Sequence, residues 1–402
     1  MQNNPSKLTF QHRFPMNRWS ILFLLFVSRL GMGFQFQSVG SVGTQLSNNL
    51  GFSNAELGAL IGIFMLPGIF LAFPSGWLGR WIKDKVVVSV GLMCLSFGGV
   101  FVLLSENLIM MGLGRFICGV GFVLSTVYFT KMAIDWFQGR ELSTALGILI
   151  VSWPGGIALS QFMHPYIAMS MGWQWAILSA SVFCLVAALA VFIFYQDSFS
   201  EAIGTDNKSQ KSHLTKSEWL GTSVASWSWS FYNAGYLVFL SFCIRALQEV
   251  GVSGLQAANT AGLTSFLVML SIFSGGILAD RFNISRSVIL LSSTVATLVL
   301  FLLPMGYFPI GLCLLFGAVG MASGGIIIAL SGQAMAEERR AFGMGVYQTW
   351  FFLISAPAPV IGGWLCDITG TSSATMIFGA FLFSMSAIFY FAFLKINANK
   401  LI

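Results

Sequence analysis

Apolar and polar positions along this chain alternate on the scale of whole membrane-spanning segments. Runs near the ~20 apolar residues that a spanning helix needs lie at about 19–40, 55–77, 86–104, 108–131, 142–165, 173–195, 218–245, 255–279, 287–305, 309–333, 341–365 and 373–395. Twelve such runs predict an all-α polytopic membrane protein. The polar intervals are short loops, with one exception. Residues 196–217 are rich in Ser, Asp and Lys and read as a flexible linker. The expected organisation is an N-terminal six-helix bundle (1–195), a cytoplasmic linker (196–217) and a C-terminal six-helix bundle (218–402).

Composition agrees with that pattern. The chain is 56% hydrophobic and 8% charged, against about 25% charged residues in a soluble domain. So little charge cannot clothe a water-facing surface, and most of the chain must face lipid. The formal net charge of +6 does not indicate nucleic acid, because the Lys and Arg residues are spread over many short loops instead of clustering on one face. Six cysteines, Cys94, Cys118, Cys184, Cys243, Cys313 and Cys366, stand singly. They predict apolar packing, and neither a disulfide framework nor a metal site. The first apolar run is of spanning length and lacks an A-x-A-like site, so no cleavable signal peptide is expected.

Orientation follows from the cations. With the N-terminus in the cytoplasm, seventeen of the twenty Lys and Arg residues fall in cytoplasmic loops or tails. Arg245 falls near an outer end, and Arg29 and Arg115 fall inside spans. Both termini are therefore expected inside, in a multi-pass protein of a bacterial inner membrane.

One stretch recurs. Gly76-Trp77-Leu78-Gly79-Arg80-Trp81-Ile82-Lys83-Asp84-Lys85 follows the second run, and Gly276-Ile277-Leu278-Ala279-Asp280-Arg281-Phe282-Asn283-Ile284-Ser285-Arg286 follows the eighth. In each, a glycine permits close helix approach and the charges fix the loop on one side of the membrane. Twelve spans, a central linker and this duplicated loop make the chain resemble the major facilitator superfamily, whose loop pattern is G-x-x-x-D-R/K-x-G-R/K-R/K. The second copy matches at Gly276, Asp280 and Arg281; the first keeps Gly76, Lys83 and Lys85 but has Arg80 in place of the family's Asp. Arg115-x-x-x-Gly119-x-Gly121 resembles the family's helix 4 motif. Asp135-Trp136-Phe137-x-Gly139-Arg140-Glu141 and Gly172-Trp173-Gln174-Trp175 look like its loops before helices 5 and 6. The resemblance implies two pseudo-symmetric six-helix bundles around a central cavity. It also implies a latch, in which a carboxylate at the cytoplasmic end of one helix meets the N-terminal dipole of a helix from the other half. Gly76, Asp280 and Arg281 are its candidates, and Asp84 is a substitute for the acid missing from the first copy.

Candidate substrate residues come from polar groups set in apolar runs. Arg29 lies eleven positions after Arg18, so about 16 Å along helix 1. A guanidinium at that depth costs at least ~2.5–3.5 kcal/mol even on the lenient insertion scale. No Asp or Glu lies deep in any predicted run, so a ligand is the remaining counter-charge. Arg115 on helix 4 shares a face with Gly119, Phe122 and Thr126. It is a second anion candidate, or else a packing arginine between helices. On helix 7, Trp229, Asn233, Tyr236 and Leu240 fall on one stripe. Its polar groups need partners in hydrocarbon, whether across a cavity or between helices. Gln37 on helix 1, and Tyr347 and Gln348 on helix 11, complete the set. His164, near the outer end of helix 5, has a side chain that can carry a proton.

The expected function is alternating-access transport of a small organic anion or carboxylate-bearing zwitterion, with uptake favoured. No cofactor or metal is expected, and no enzyme activity. The partners are a small-molecule substrate and the lipid bilayer, a coupling proton remains open, and the protein is read as a monomer. The alternatives are multidrug or metabolite efflux by proton antiport, and a non-transporting membrane sensor with the same fold.

Overall fold

The computed structural model describes residues 17–75, 81–137, 141–196, 213–336 and 339–398. Twelve helices in it are long and apolar enough to span a membrane: α1 Arg18–Ser41, α2 Asn54–Ser75, α3 Asp84–Leu103, α4 Leu108–Phe137, α5 Thr144–Met171, α6 Trp173–Phe194, α7 Lys216–Glu249, α8 Gly254–Phe282, α9 Ser285–Met305, α10 Pro309–Ala334, α11 Phe342–Thr369 and α12 Ser373–Ile396. Among the described residues there is no strand. Large apolar side chains such as Phe70, Ile109 and Ile193 point outward and are more than half exposed. In water such a surface would aggregate, whereas against acyl chains it costs nothing.

Several starts have a local cause. The Asn17 side chain accepts the Ser20 N–H at 2.8 Å and caps α1. Ser53 with Glu56, and Thr215 with Glu218, close reciprocal capping boxes at α2 and α7. Helix α4 runs through Asp135, Trp136 and Phe137, which the sequence reading assigned to a loop. Gly76 and Arg80 of the first repeated loop, and 197–212 of the expected linker, lie outside the described residues.

Helices α1–α6 form one bundle, in which α3 packs on α4 and α6, and α5 packs on α1. Helices α7–α12 form the other, with α7 against α11 and α12. The bundles meet along a seam made by α5 with α8 and by α2 with α11. Twelve traverses return the chain to the face it starts from, here called the end face; the opposite face is the far face.

Both helices of the second contact are interrupted in mid-span. Helix α2 consists of Asn54–Met65 and Pro67–Ser75, and α11 of Arg340–Ser355 and Ala358–Thr369. Pro67 and Pro357 cannot donate to the helical ladder, so the axes are free to change there. On the far side of these breaks the backbones touch through glycine. A Cβ on Gly58 would meet the Pro359 carbonyl, and one on Gly363 the Asn54 carbonyl.

Candidate functional site

Arg29 is half-buried in the middle of α1. One Nη donates a short hydrogen bond to the Leu149 carbonyl of α5. Its Nε is buried with no hydrogen-bond partner. Among the described residues no carboxylate pairs with it; ion pairs elsewhere join Arg18 to Glu141, Lys131 to Asp84, Arg245 to Glu249 and Arg339 to Glu218. A guanidinium carries five donors in a planar fork. Here one backbone oxygen answers it, and the charge is unmatched. Helix α5 is also a seam helix: Gly155 lies beside both Leu30 of α1 and Met269 of α8. Arg29 is therefore held one helix away from the junction of the bundles.

Arg115, expected as a second anion contact, is bonded differently. It is 1% exposed. Nε donates to the Leu60 carbonyl at 3.0 Å, one Nη to Gln35 O at 3.2 Å and the other to Phe36 O at 2.8 Å. The Phe64 ring lies 4.6 Å from its charge centre, within cation–π range. Every nitrogen is occupied. The side chain ties α4 to α1 and α2, and it offers no free edge to a ligand.

Above Arg29, toward the far face, an aromatic layer fills the centre. Trp153 of α5 lies 5.3 Å from Phe36 and 4.8 Å from Phe122. Phe64 packs on both phenylalanines, and Phe352 of α11 reaches Phe122 from the other bundle at 6.3 Å. Only Phe122 of this layer was singled out by sequence, for its place on the Arg115 face. Single aromatic residues in apolar runs carry no mark of convergence.

The remaining candidates divide by burial. Thr126, Trp229, Asn233 and Gln348 are half-buried. The hydroxyl of Thr126 donates to its own helix at Phe122 O, and the Asn233 amide to Trp229 O, 2.8 Å in each case. Trp229 stacks near Tyr232 and Phe351. Tyr347 is fully buried, its backbone carbonyl accepting from Ser226 and its hydroxyl without a partner. Gln37 reaches across the seam to the Leu240 carbonyl at 3.4 Å. Tyr236 is buried on the same side, with Ser265 of α8 beside its hydroxyl. Ser265 in turn donates to Gln161 of α5. His164 is buried with Ser160 at 2.8 Å from Nδ1 and its ring against Phe34.

Among the described residues, the latch candidates Asp84, Asp280 and Arg281 show no cross-bundle hydrogen bond or ion pair at the end face. Asp84 pairs with Lys131 of α4 at 2.7 Å, within its own bundle. Asp280 is exposed, and Arg281 rests near the ring of its neighbour Phe282. The carboxylate that does reach a helix N-terminus of the other bundle is Asp367, on the far face. It accepts Asn54 N at 3.0 Å, Asn54 Nδ2 at 2.6 Å and Ala55 N at 2.8 Å. Sequence reasoning missed it because the apolar run was ended at residue 365, leaving Asp367 as one more loop acid.

The model of the Major Facilitator Superfamily matches residues 21–358. A probable nitrate transporter NarT of Staphylococcus haemolyticus is 25% identical over 59% of this chain and 61% of its own length. A protein of the same description from Staphylococcus aureus (strain bovine RF122 / ET3-1) is 24% identical over 86% of this chain and 87% of its own. The chain thus spans about three fifths of the first relative and most of the second. Among solved structures, a bacterial homolog of the human lysosomal transporter Spinster, inward-facing and unoccupied, superposes with a TM-score of 0.74 at 16% identity, covering 94% of this chain and 97% of that one. The nucleoside transporter NupG does so with a TM-score of 0.69 at 13% identity, covering 93% and 98%. At these identities the structural likeness concerns the fold.

Proposed function

Given that the chain belongs to the Major Facilitator Superfamily, a family of membrane transporters, we propose that its cargo is a small planar oxyanion and that Arg29 supplies the counter-charge. The observation that carries this reading is the state of that one side chain. It stands inside a span, bonded to a single backbone carbonyl, with Nε unpartnered and no carboxylate among the described residues paired with it. Leaving such a charge unmatched in hydrocarbon is costly, and a guanidinium binds planar oxygens in a two-pronged fork. A carboxylate and nitrate both present that edge. The nitrate transporters named among the relatives support the inorganic member of the class; the sequence reading favours a small organic carboxylate.

Transport proceeds by alternating access between the two bundles, tethered by 196–217. The termini and the basic loops lie on the cytoplasmic side of a bacterial inner membrane, and the direction is uptake. Thr126, Trp229, Asn233 and Gln348, all half-buried, line the path the anion takes. The test is uptake of nitrate, and separately of small carboxylates, into proteoliposomes carrying the wild-type protein or Arg29→Gln. Saturable uptake of one anion class that the substitution abolishes supports the reading. Wild-type rates in a correctly folded Arg29→Gln protein remove Arg29 from the site.

A further inference from the structure

The far end of the seam carries polar contacts that anion binding does not use. Two of the four N–H groups that begin α2, those of Asn54 and Ala55, donate to the Asp367 carboxylate of α11. The other bundle therefore completes what a helix start ordinarily obtains from its own chain or from water. Asn54 is also held from α7: Arg245 donates to its Oδ1 at 2.7 Å, and Arg245 itself pairs with Glu249 at 2.8 Å. Glu249 accepts both the N–H and the hydroxyl of Ser372, the residue before α12. The cluster thus ties the start of α2 to the ends of α7 and α11 and the start of α12.

Two of the helices it ties, α2 and α11, are interrupted at mid-span. The half-helices Asn54–Met65 and Ala358–Thr369 each end near the mid-span break at Pro67 or Pro357. Between them Gly58 and Gly363 each face a backbone carbonyl of the other half-helix. Where α5 meets α8, the other contact of the seam, Gln161 Nε2 is buried without a hydrogen-bond partner, and a buried polar group left unpaired opposes closure.

We propose that Asp367 is a positioning residue of the transport cycle: its carboxylate, seated on the N-terminus of α2, holds the far mouth shut, and its release lets the two half-helices swing apart about their proline breaks. The proposal rests on the carrier reading but not on the identity of the cargo. Asp367 is an exposed residue, so solvent weakens its bonds. A helix cap of this kind shifts an equilibrium roughly five- to tenfold.

Spin labels at Glu106→Cys and Tyr307→Cys, in far-face loops of opposite bundles, report the opening as a distance. They are placed in a Cys94→Ser background, since the other native cysteines are buried. Measured by pulsed dipolar spectroscopy on full-length protein in nanodiscs without substrate, Asp367→Ala is expected to raise the longer-distance population about five- to tenfold, with Asp367→Asn moving the same way by less. If Asp367→Ala does not fold, the near-isosteric Asp367→Asn decides alone. An unchanged distance distribution overturns the proposal, whether or not the melting temperature falls, because a cap that is only structural lowers stability without moving the bundles. Because no substrate is present, failure of the anion assignment would leave this measurement standing.

Discussion

Arg29 and Arg115 are the two arginines set within the spans of one bundle, and the protein treats them in opposite ways. Arg115 is closed in: three nitrogens, three backbone carbonyls and an aromatic face. Arg29 has one carbonyl and an orphaned Nε, and it is half-buried. Both take the desolvation cost of charge in an apolar setting. For Arg115 that cost is offset by the fold itself, and the residue holds α1, α2 and α4 together. For Arg29 the offset is incomplete, and what is missing is an acceptor with negative charge. On the proposed reading, what separates an anion site from a structural clamp is unsatisfied donors, and depth in the membrane alone does not separate them.

The contrast is sharpest where it is broken. Arg115→Gln removes three hydrogen bonds from a charged donor and the packing on Phe64, each such bond being worth about 1.5–3 kcal/mol in an apolar interior. The expected loss is on the order of 3–5 kcal/mol of stability, read as a fall in melting temperature and loss of a monodisperse peak in detergent. Normal stability with lost transport would instead put Arg115 in the site. Arg29→Gln should leave the melting temperature nearly unchanged while uptake falls about 10–100-fold, the worth of one charged hydrogen-bonding contact. Arg29→Lys keeps the charge but loses the planar fork, so apparent affinity for a planar anion should weaken about tenfold with the maximal rate less affected. An equal effect of Lys and Gln would argue that charge alone is not what the site uses. The smallest effect is expected at Tyr347→Phe. Its hydroxyl is buried and unpartnered, so removing it should change stability by less than about 0.5 kcal/mol and leave uptake as it was. A marked loss of uptake would return Tyr347 to the transport path.

The two ends of the seam differ in a related way. At the far face a carboxylate meets a helix N-terminus, and asparagine, arginine and glutamate surround it. At the end face, Phe73 packs against Phe342, and Asp280, the acid the sequence nominated, is exposed. The sequence marked the end-face loops because they are repeated and basic. The far-face partners, Asn54 and Asp367, lie 313 positions apart, and neither neighbourhood carries a repeat or a run that would join them.

What the amino-acid order determined by itself was the class of fold: twelve spans, two six-helix bundles and a charge buried in the first helix with no acid deep in any run. These follow from local length, local composition and the high cost of charge in hydrocarbon, all of which are properties of contiguous segments. Which arginine is saturated, which aromatics converge on Trp153, and which acid caps α2 were decided only by the tertiary structure. The carbonyls that bind Arg115, and the helix start that receives Asp367, are backbone groups present at every residue. Their availability depends on how separate helices cross, and no side-chain pattern encodes it.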